Sequence, residues 1–338
     1  MTKRCAIVIP FVELNHYLLE TVRGCLALDY DNFRIILIAD APLQLPPDFQ
    51  NKKITILRAG ENKTIAAKRN MAIEQCSDAD YIALIDSDAY PEKDWLQNSI
   101  CFLEKHPNVW AVGGPNLTPP EEPILQRSVG NAQKSFLVSG PLAFTKTKSK
   151  SRYCANLHSC NLILPKQAFE VIGGFDETLF TGEDRNLCGR ITASRKKIYF
   201  HSNVIVYHHN RSLWRPLFLQ RLTYGYCSTA IARKQLNHSS LMLHLPIGWL
   251  MIICLLGSYE QYYNSSMTIT CLILLLHFLA AVIVAVNVSN RILEIPYTLA
   301  AIVVTFAGMA LGQILALTGI RLNLSKLYSN APPQPNIS

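Results

Sequence analysis

The chain has 338 residues, 49% of them hydrophobic, and carries 32 Lys and Arg against 24 Asp and Glu for a net charge of +8. This is enough chain for one large core plus about a hundred residues of a second element. Its ten cysteines include no C-x-x-C pair, and Cys154 and Cys160 have the spacing of neither a zinc site nor a redox motif, so packed, reduced thiols in a cytosolic setting are expected.

The opening MTKRCAIVIPF has too short an apolar stretch for a secretory signal, which places the N-terminal domain in the cytoplasm. Within it CAIVIPF at 5–11 reads as a buried strand, and LNHYLLETVRGCLAL follows with helical periodicity. RIILIAD at 34–40 and KITILRA at 53–59 are two more strands, and TIAAKRNMAIEQC at 64–76 is a helix. YIALIDSD at 81–88 is a fourth strand and KDWLQNSICFLEKH the helix after it. Strands alternating with helices predict an α/β domain whose mostly parallel sheet is covered on both faces. Ligands of such sheets sit at the carboxyl ends of the strands near the switch point, and Asp40, Asp86 and Asp88 all stand at predicted strand ends. Asp86 and Asp88 are two apart, so an extended strand turns both carboxylates to one side, where they repel unless one protonates or a cation intervenes. A hard divalent ion, Mg2+ or Mn2+, bridged to substrate phosphates suits that pair. Capping of the turn is the other reading.

Residues 123–169 contain seven Lys or Arg and no acid, and residues 185–259 contain ten, again with no acid. The first of these segments, rich in Ser, Gly and Lys, is expected to be either a mobile flap over a bound ligand or a solvated surface loop. Such basic surfaces suit nucleic acid, anionic lipid headgroups or phosphorylated substrates. Residues 211–234, RSLWRPLFLQRLTYGYCSTAIARK, mix Trp214, Leu217 and Phe218 with Arg215, Arg221, Arg233 and Lys234. This predicts a helix in the headgroup layer, or else a packing helix with a solvated basic face. Beyond it, residues 267–288 and 296–318 contain no charged side chain and are long enough to cross ~30 Å of hydrocarbon. A third run at 241–257 carries His244 and Pro246 and reads as a tilted span, an interfacial helix or a re-entrant one. The predicted organisation is an α/β domain over 1–210, a membrane-surface segment over 211–238, two to three transmembrane helices over 239–320 and a polar tail over 321–338. With the domain cytoplasmic, three spans put Arg291 inside and the tail's Arg321 and Lys326 outside, whereas two spans reverse them. Nucleic acid is excluded as a partner, since no recognition motif is visible and the membrane accounts for the charge. A transporter is disfavoured because the spans offer no charged side chain for a polar pathway.

In order along the chain, IVIPF, LIAD, AAKRN, DSD, VIGGFDE at 171–177 and GEDRNLCGRI at 182–191 resemble the motifs of glycosyltransferase family 2, the inverting nucleotide-sugar transferases of GT-A fold. The resemblance covers residues 5–234 and implies a Rossmann-like GT-A domain. It implies that Asp40 contacts the nucleobase and Arg69 lies near the nucleotide, with Pro10, Asp86 and Ser87 also on the nucleotide-sugar side. The D-S-D would be the metal motif, holding Mn2+ or Mg2+ through Asp88 and Asp86. VYHHNRS would supply a further ligand, His208 or His209, with His208 favoured. Gly173 and Gly174 belong to the acceptor-side motif, and His158 and Asn161 would border the acceptor pocket. Asp184 is the candidate base and Glu183 the second candidate, since the start of a helix favours an ionised carboxylate; both acids as helix caps is the plainer reading. Two departures matter. Ala39 precedes Asp40 where the family usually has a second acid, which alters base and ribose recognition, and the Q-x-x-R-W motif of processive synthases is absent. The implied enzyme is membrane-attached and metal-dependent, and moves a single sugar from a UDP-linked donor to a lipid-linked or cell-envelope saccharide. Alternatives are transfer to polyprenyl phosphate itself, or a catalytically silent module for binding or assembly. Intact Asp86, Asp88, Glu183 and Asp184 speak against the silent module.

Overall fold

The computed structural model describes residues 2–41, 45–61, 63–232, 245–263 and 268–324. Arg233 and Lys234, the stretch 235–244 with His244, and Lys326 with most of the predicted tail lie outside the described residues. The chain divides into two compact units, one made of Met1–Pro120 and Pro141–His209, the other of Glu121–Gly140 and Asn210–Ser338.

The first unit opens with β1 (Cys5–Pro10), α1 (His16–Leu26), β2 (Phe33–Ala39), β3 (Ile54–Arg58), α2 (Ile65–Glu74) and β4 (Tyr81–Leu84). These strands run parallel in the order β3-β2-β1-β4, so the chain reverses its direction of travel at β1 and leaves a crevice at the carboxyl ends there. Alternate residues of β1 face two separate cores. Ile7 and Ile9 pack with Val22, Ile35 and Leu37 on one side, and Ala6 and Val8 pack with Ile36, Ile38 and Leu84 on the other. Both faces of β1, β2 and β4 are covered, which is why these three read as continuous apolar runs, while β3 at the sheet edge is largely exposed. The helices start on side-chain caps: Asn15 Oδ1 accepts from Leu18 N at 3.0 Å, and Thr64 Oγ1 accepts from Ala67 N at 3.1 Å.

After β4 the structure departs from the strand predicted over 81–88. The chain leaves the sheet at Leu84 and turns through Asp86, Ser87 and Asp88 into β5 (Ala89–Pro91). This short strand is followed by α3 (Trp95–Lys105), β6 (Val109–Gly113) and β7 (Asn116–Leu117). The segment predicted as a flap or solvated loop is neither. It forms α4 (Ile124–Gln133) and α5 (Phe136–Ser139) of the second unit, then β8 (Arg152–Cys154) and β9 (Leu162–Pro165) of the main sheet. Gln126, Ser128 and Asn131 are buried on α4 beside Val129 and Ala132, so polar residues occupy the face that periodicity would need to be apolar. β9 is inserted antiparallel between β4 and β6, and α6 (Lys166–Ile172), α7 (Glu183–Ala193), β10 (Lys197–Phe200) and β11 (Val206–His208) complete the unit. β10 adds parallel to β6, β8 adds antiparallel to β10, and β5, β11 and β7 form a separate small sheet. All ten cysteines are free; burial pushes the Cys188 thiol up to about 12 and holds Cys5 and Cys25 protonated as well.

The second unit adds α8 (Arg215–Ala232), α9 (Leu245–Tyr262), α10 (Thr268–Val288) and α11 (Ile295–Leu317). Two segments among the described residues, Thr268–Val288 and Ile292–Leu317, are long and apolar enough to cross a membrane. α10 leaves Leu272, Leu275, Phe278 and Ile283 exposed, whereas α11 is the inner helix and packs along α8. The contact uses glycines. A Cβ on Gly312 would lie 2.0 Å from Leu222 O, one on Gly225 2.2 Å from Met309 O, and Gly308 sits one turn before Gly312 in a G-x-x-x-G spacing. At the turn between α10 and α11, fully buried Glu294 accepts from Arg127 Nε at 2.5 Å, Asn131 Nδ2 at 2.8 Å and Asn290 N at 3.2 Å.

Candidate active site

The crevice at the ends of β1, β2 and β4 gathers charge in a fixed order. Lys68 and Arg69, successive residues of α2, are only 2% and 1% exposed. Lys68 Nζ donates to Phe11 O at 3.0 Å and stands 2.9 Å from Asp40 Oδ1. Pro10 is buried at the end of β1 beside it. Arg69 donates from one terminal nitrogen to Asp86 Oδ1 and from the other to Glu183 Oε1, each at 2.7 Å, and its guanidinium lies over the Phe175 ring. Sequence reasoning named Asp40 and Arg69 but missed Lys68, although it stands in the same AAKRN stretch.

Because the D-S-D occupies a turn, its two carboxylates do not share one strand face. Asp86 turns to Arg69, while Asp88 Oδ1 lies 3.1 Å from His208 Nε2. Strand pairing explains the second contact. β11 runs antiparallel to β5 with His208 opposite Ala89, and His209 N donates to Asp88 O at 2.9 Å. His209 itself points away, with Nε2 2.8 Å from Glu20 Oε2, so His208 is the histidine that stands in this cluster. Ser87 is held by its carbonyl, which accepts from Thr21 Oγ1 at 3.1 Å. Asp86, His208 and Cys160 each bring one donor atom within 4.8 Å of the others. Burial opposes charge on His208, but the Cys160 sulfur and Asp88 beside it raise its pKa well above the ordinary value. Two carboxylates, an imidazole and a thiol are a donor set that divalent transition ions take, so these residues fit the metal implied by the D-S-D motif. Cys160 was not foreseen, since no metal-type spacing surrounds it.

Gly182 adopts φ +81°, and α7 begins directly after it with Glu183 and Asp184 in the first turn. Asp184 Oδ1 accepts from Arg185 N at 2.7 Å, and its Oδ2 lies 3.7 Å from His158 Nδ1. Burial alone would push both carboxyls up. For Asp184 the neighbouring His158 imidazole, the Arg185 N–H and the Arg69 charge outweigh it and hold the pKa below the usual aspartate value. Glu183 goes the other way, raised by burial and by the Asp184 charge despite Arg69. Burial also lowers the His158 pKa against the pull of Asp184, and its Nε2 is buried without a hydrogen-bond partner among the described residues.

Gly173 and Gly174, at φ +82° and +72°, end α6: Gly173 N donates to Phe169 O and Glu170 O, and Gly174 N to Phe169 O. Asn70 then clamps Phe175 under Arg69, accepting from its N–H and donating to its carbonyl, both at 2.9 Å. Asn161 requires a correction. It is 1% exposed and fully engaged inside the protein, accepting from Trp95 Nε1 at 2.8 Å and donating to Pro115 O and Val204 O at 3.1 and 2.8 Å. It pins the turn that carries His158 and Cys160 and does not border an acceptor pocket.

Residues 6–173 match the family model described as Glycosyl transferase family 2. A pre-mycofactocin glycosyltransferase of Mycobacterium tuberculosis is 26% identical over 185 residues, 53% of this chain but only 37% of that protein's length. A dolichyl N-acetyl-alpha-D-glucosaminyl phosphate 3-beta-D-2,3-diacetamido-2,3-dideoxy-beta-D-glucuronosyltransferase of Methanococcus voltae is 21% identical over 268 residues, 73% of this chain and 79% of that one. Among solved structures, the mannosyltransferase PcManGT from Pyrobaculum calidifontis, in complex with GDP-Man and Mn2+, superimposes with a TM-score of 0.64 at 14% identity, covering 95% of this chain and 89% of that chain. Motif order, mostly parallel sheet and family match converge: residues 6–173 carry the match to glycosyl transferase family 2, and the fold is GT-A.

Proposed function

We propose that the chain is a membrane-attached, metal-dependent, inverting glycosyltransferase that moves one sugar from a nucleotide sugar, UDP-linked, to a lipid-linked or cell-envelope saccharide. The observation that carries this reading is Arg69, buried between Asp86 of the D-S-D turn and Glu183 of the E-D pair. One guanidinium ties the diphosphate side of the crevice to the proton-accepting side. Asp40, Lys68 and Arg69 face the nucleotide. Asp184, ionised and oriented by the Arg185 N–H, takes the proton from the acceptor hydroxyl as its oxygen attacks the anomeric carbon and the bond to the nucleoside diphosphate breaks. Attack from the face opposite the leaving group inverts the anomeric centre. Asp86, Asp88 and His208 would hold a divalent ion, which would supply positive charge to offset that of the leaving diphosphate.

For the acceptor, support comes from the Methanococcus voltae relative, whose name records a dolichyl phosphate sugar as its substrate. Two helices able to cross a membrane suit an acceptor with a lipid tail and a cytoplasmic site. Incubating the purified protein with a panel of nucleotide sugars, Mn2+ and polyprenyl-phosphate saccharides tests the reading. Transfer of one sugar from a UDP donor, blocked by chelation and by Asp88→Ala, is expected. No turnover of any donor, or undiminished turnover by Asp88→Ala, overturns it.

A further inference from the structure

We infer that the divalent-cation site is a mixed oxygen, nitrogen and sulfur site, in which the Cys160 sulfur joins the Asp86 carboxylate and the His208 imidazole as a direct ligand. The inference rests on the reading of the D-S-D turn as a cation site and adds a donor that sets which cation it takes. The three side chains already place one donor atom each within 4.8 Å of one another. Ligand distances of ~2.0 to 2.3 Å put the donors of one ion roughly 3 to 4.5 Å apart, so the three stand close to a single coordination sphere.

The setting of Cys160 separates it from the four thiols buried in the cores on either side of the main sheet. Cys5 and Cys25 lie in one apolar core and Cys76 and Cys188 in the other, whereas Cys160, 4% exposed, belongs to neither. Its neighbours in the cluster are a carboxylate and an imidazole. Its backbone is fixed by Asn161, whose amide is anchored to Trp95, Pro115 and Val204. A packing cysteine needs apolar neighbours, not two polar donors and a rigid turn aimed at them. Thiolate is a soft ligand, and soft ligands favour the later first-row ions, whereas Mg2+ is hard and keeps oxygen ligands and water. The site therefore prefers Mn2+ to Mg2+ and binds Co2+ and Zn2+ more tightly than either. On binding, any proton carried by the Cys160 sulfur or the His208 imidazole is released to solvent as the metal–sulfur and metal–nitrogen bonds form.

Cobalt makes the sulfur visible. The full chain in detergent is titrated with Co2+, and its absorption spectrum and binding stoichiometry are recorded. Expected is a near-ultraviolet thiolate-to-cobalt charge-transfer band that saturates with one ion per chain. It should be lost in Cys160→Ser and kept in Cys101→Ser, which removes an exposed thiol. Should Co2+ bind at one equivalent without that band, or should the band persist in Cys160→Ser, the thiolate assignment falls while the cation site stands. If the wild-type chain takes up no Co2+ or Mn2+ at all, the cation site itself falls. The wild-type spectrum decides the matter even if Cys160→Ser folds poorly.

Discussion

With Arg69 donating to both Asp86 and Glu183, the two acids of the E-D pair meet different surroundings although they are adjacent in sequence. Glu183 is matched to a buried guanidinium and unavailable, while Asp184 faces His158 and stays charged. Asp184→Asn should therefore lower kcat by roughly 10²- to 10⁴-fold, the usual value of a positioned base, with the circular dichroism spectrum unchanged. Glu183→Gln acts differently, since it loosens Arg69 and should impair donor binding as well as turnover. The pH profile separates the two carboxylates. A base must be ionised, so activity falls on the acid side as pH drops through its pKa. Because the Asp184 pKa is held down, kcat/KM should stay flat through the ordinary carboxylate range and fall only below it. An acid limb displaced above that range would identify Glu183, whose pKa is raised.

Elements differ in how far the sequence reveals them. β1, β2 and β3, with α1, α2 and α3, lie within a few residues of their predicted bounds, because the buried apolar runs of β1 and β2, the side-chain caps of α1 and α2 and the helical spacing of apolar residues on α3 are local signals. The end of β4 was not legible. Its chain stops pairing at Leu84 because the next strand, β5, is taken by β11, and no property of YIALIDSD records a partner 120 residues away. Separation along the chain also hid Cys160, which comes to the cluster through a turn held by Asn161. Motif order located Asp40, Arg69, Asp86, Asp88, Glu183, Asp184 and His208, but which side chain each would face depended on long-range pairing. Between helices, the α8–α11 contact depends on the missing Cβ atoms of Gly312 and Gly225. Gly312→Val should cost about 1–3 kcal/mol through overpacking, read as a lowered midpoint of thermal unfolding in detergent. Gly248→Ala, where an added Cβ meets nothing within 4 Å, is the neutral control.

At the scale of the whole molecule, the second unit is held by a buried charge at the turn joining its two membrane-length helices. Glu294 is fully buried and bound by Arg127 and Asn131 of α4. Removing one partner leaves the other charge unpaired, so Arg127→Met should destabilise this unit by about 3–5 kcal/mol, and Arg127→Met with Glu294→Met together should recover much of the loss. The same contact ties α4 to the α10–α11 turn. Cysteines placed at exposed Leu137 and Ile292 should therefore react with an impermeant thiol reagent from the same face of a sealed vesicle. Labelling from opposite faces would show that the pairing of Arg127 with Glu294 does not persist in the bilayer.

The pairing of β5 with β11 also bears on synthesis. A ribosome-bound fragment ending before Val206 has every strand that lines the crevice except the one bringing His208 to Asp88. Half-made copies thus lack His208, and the cluster of Asp86, Cys160 and His208 is completed only when the last strand emerges. That strand ends two residues before the second unit resumes at Asn210, so completion of the cluster and the start of the segment that carries the two membrane-length helices fall within a short interval of translation.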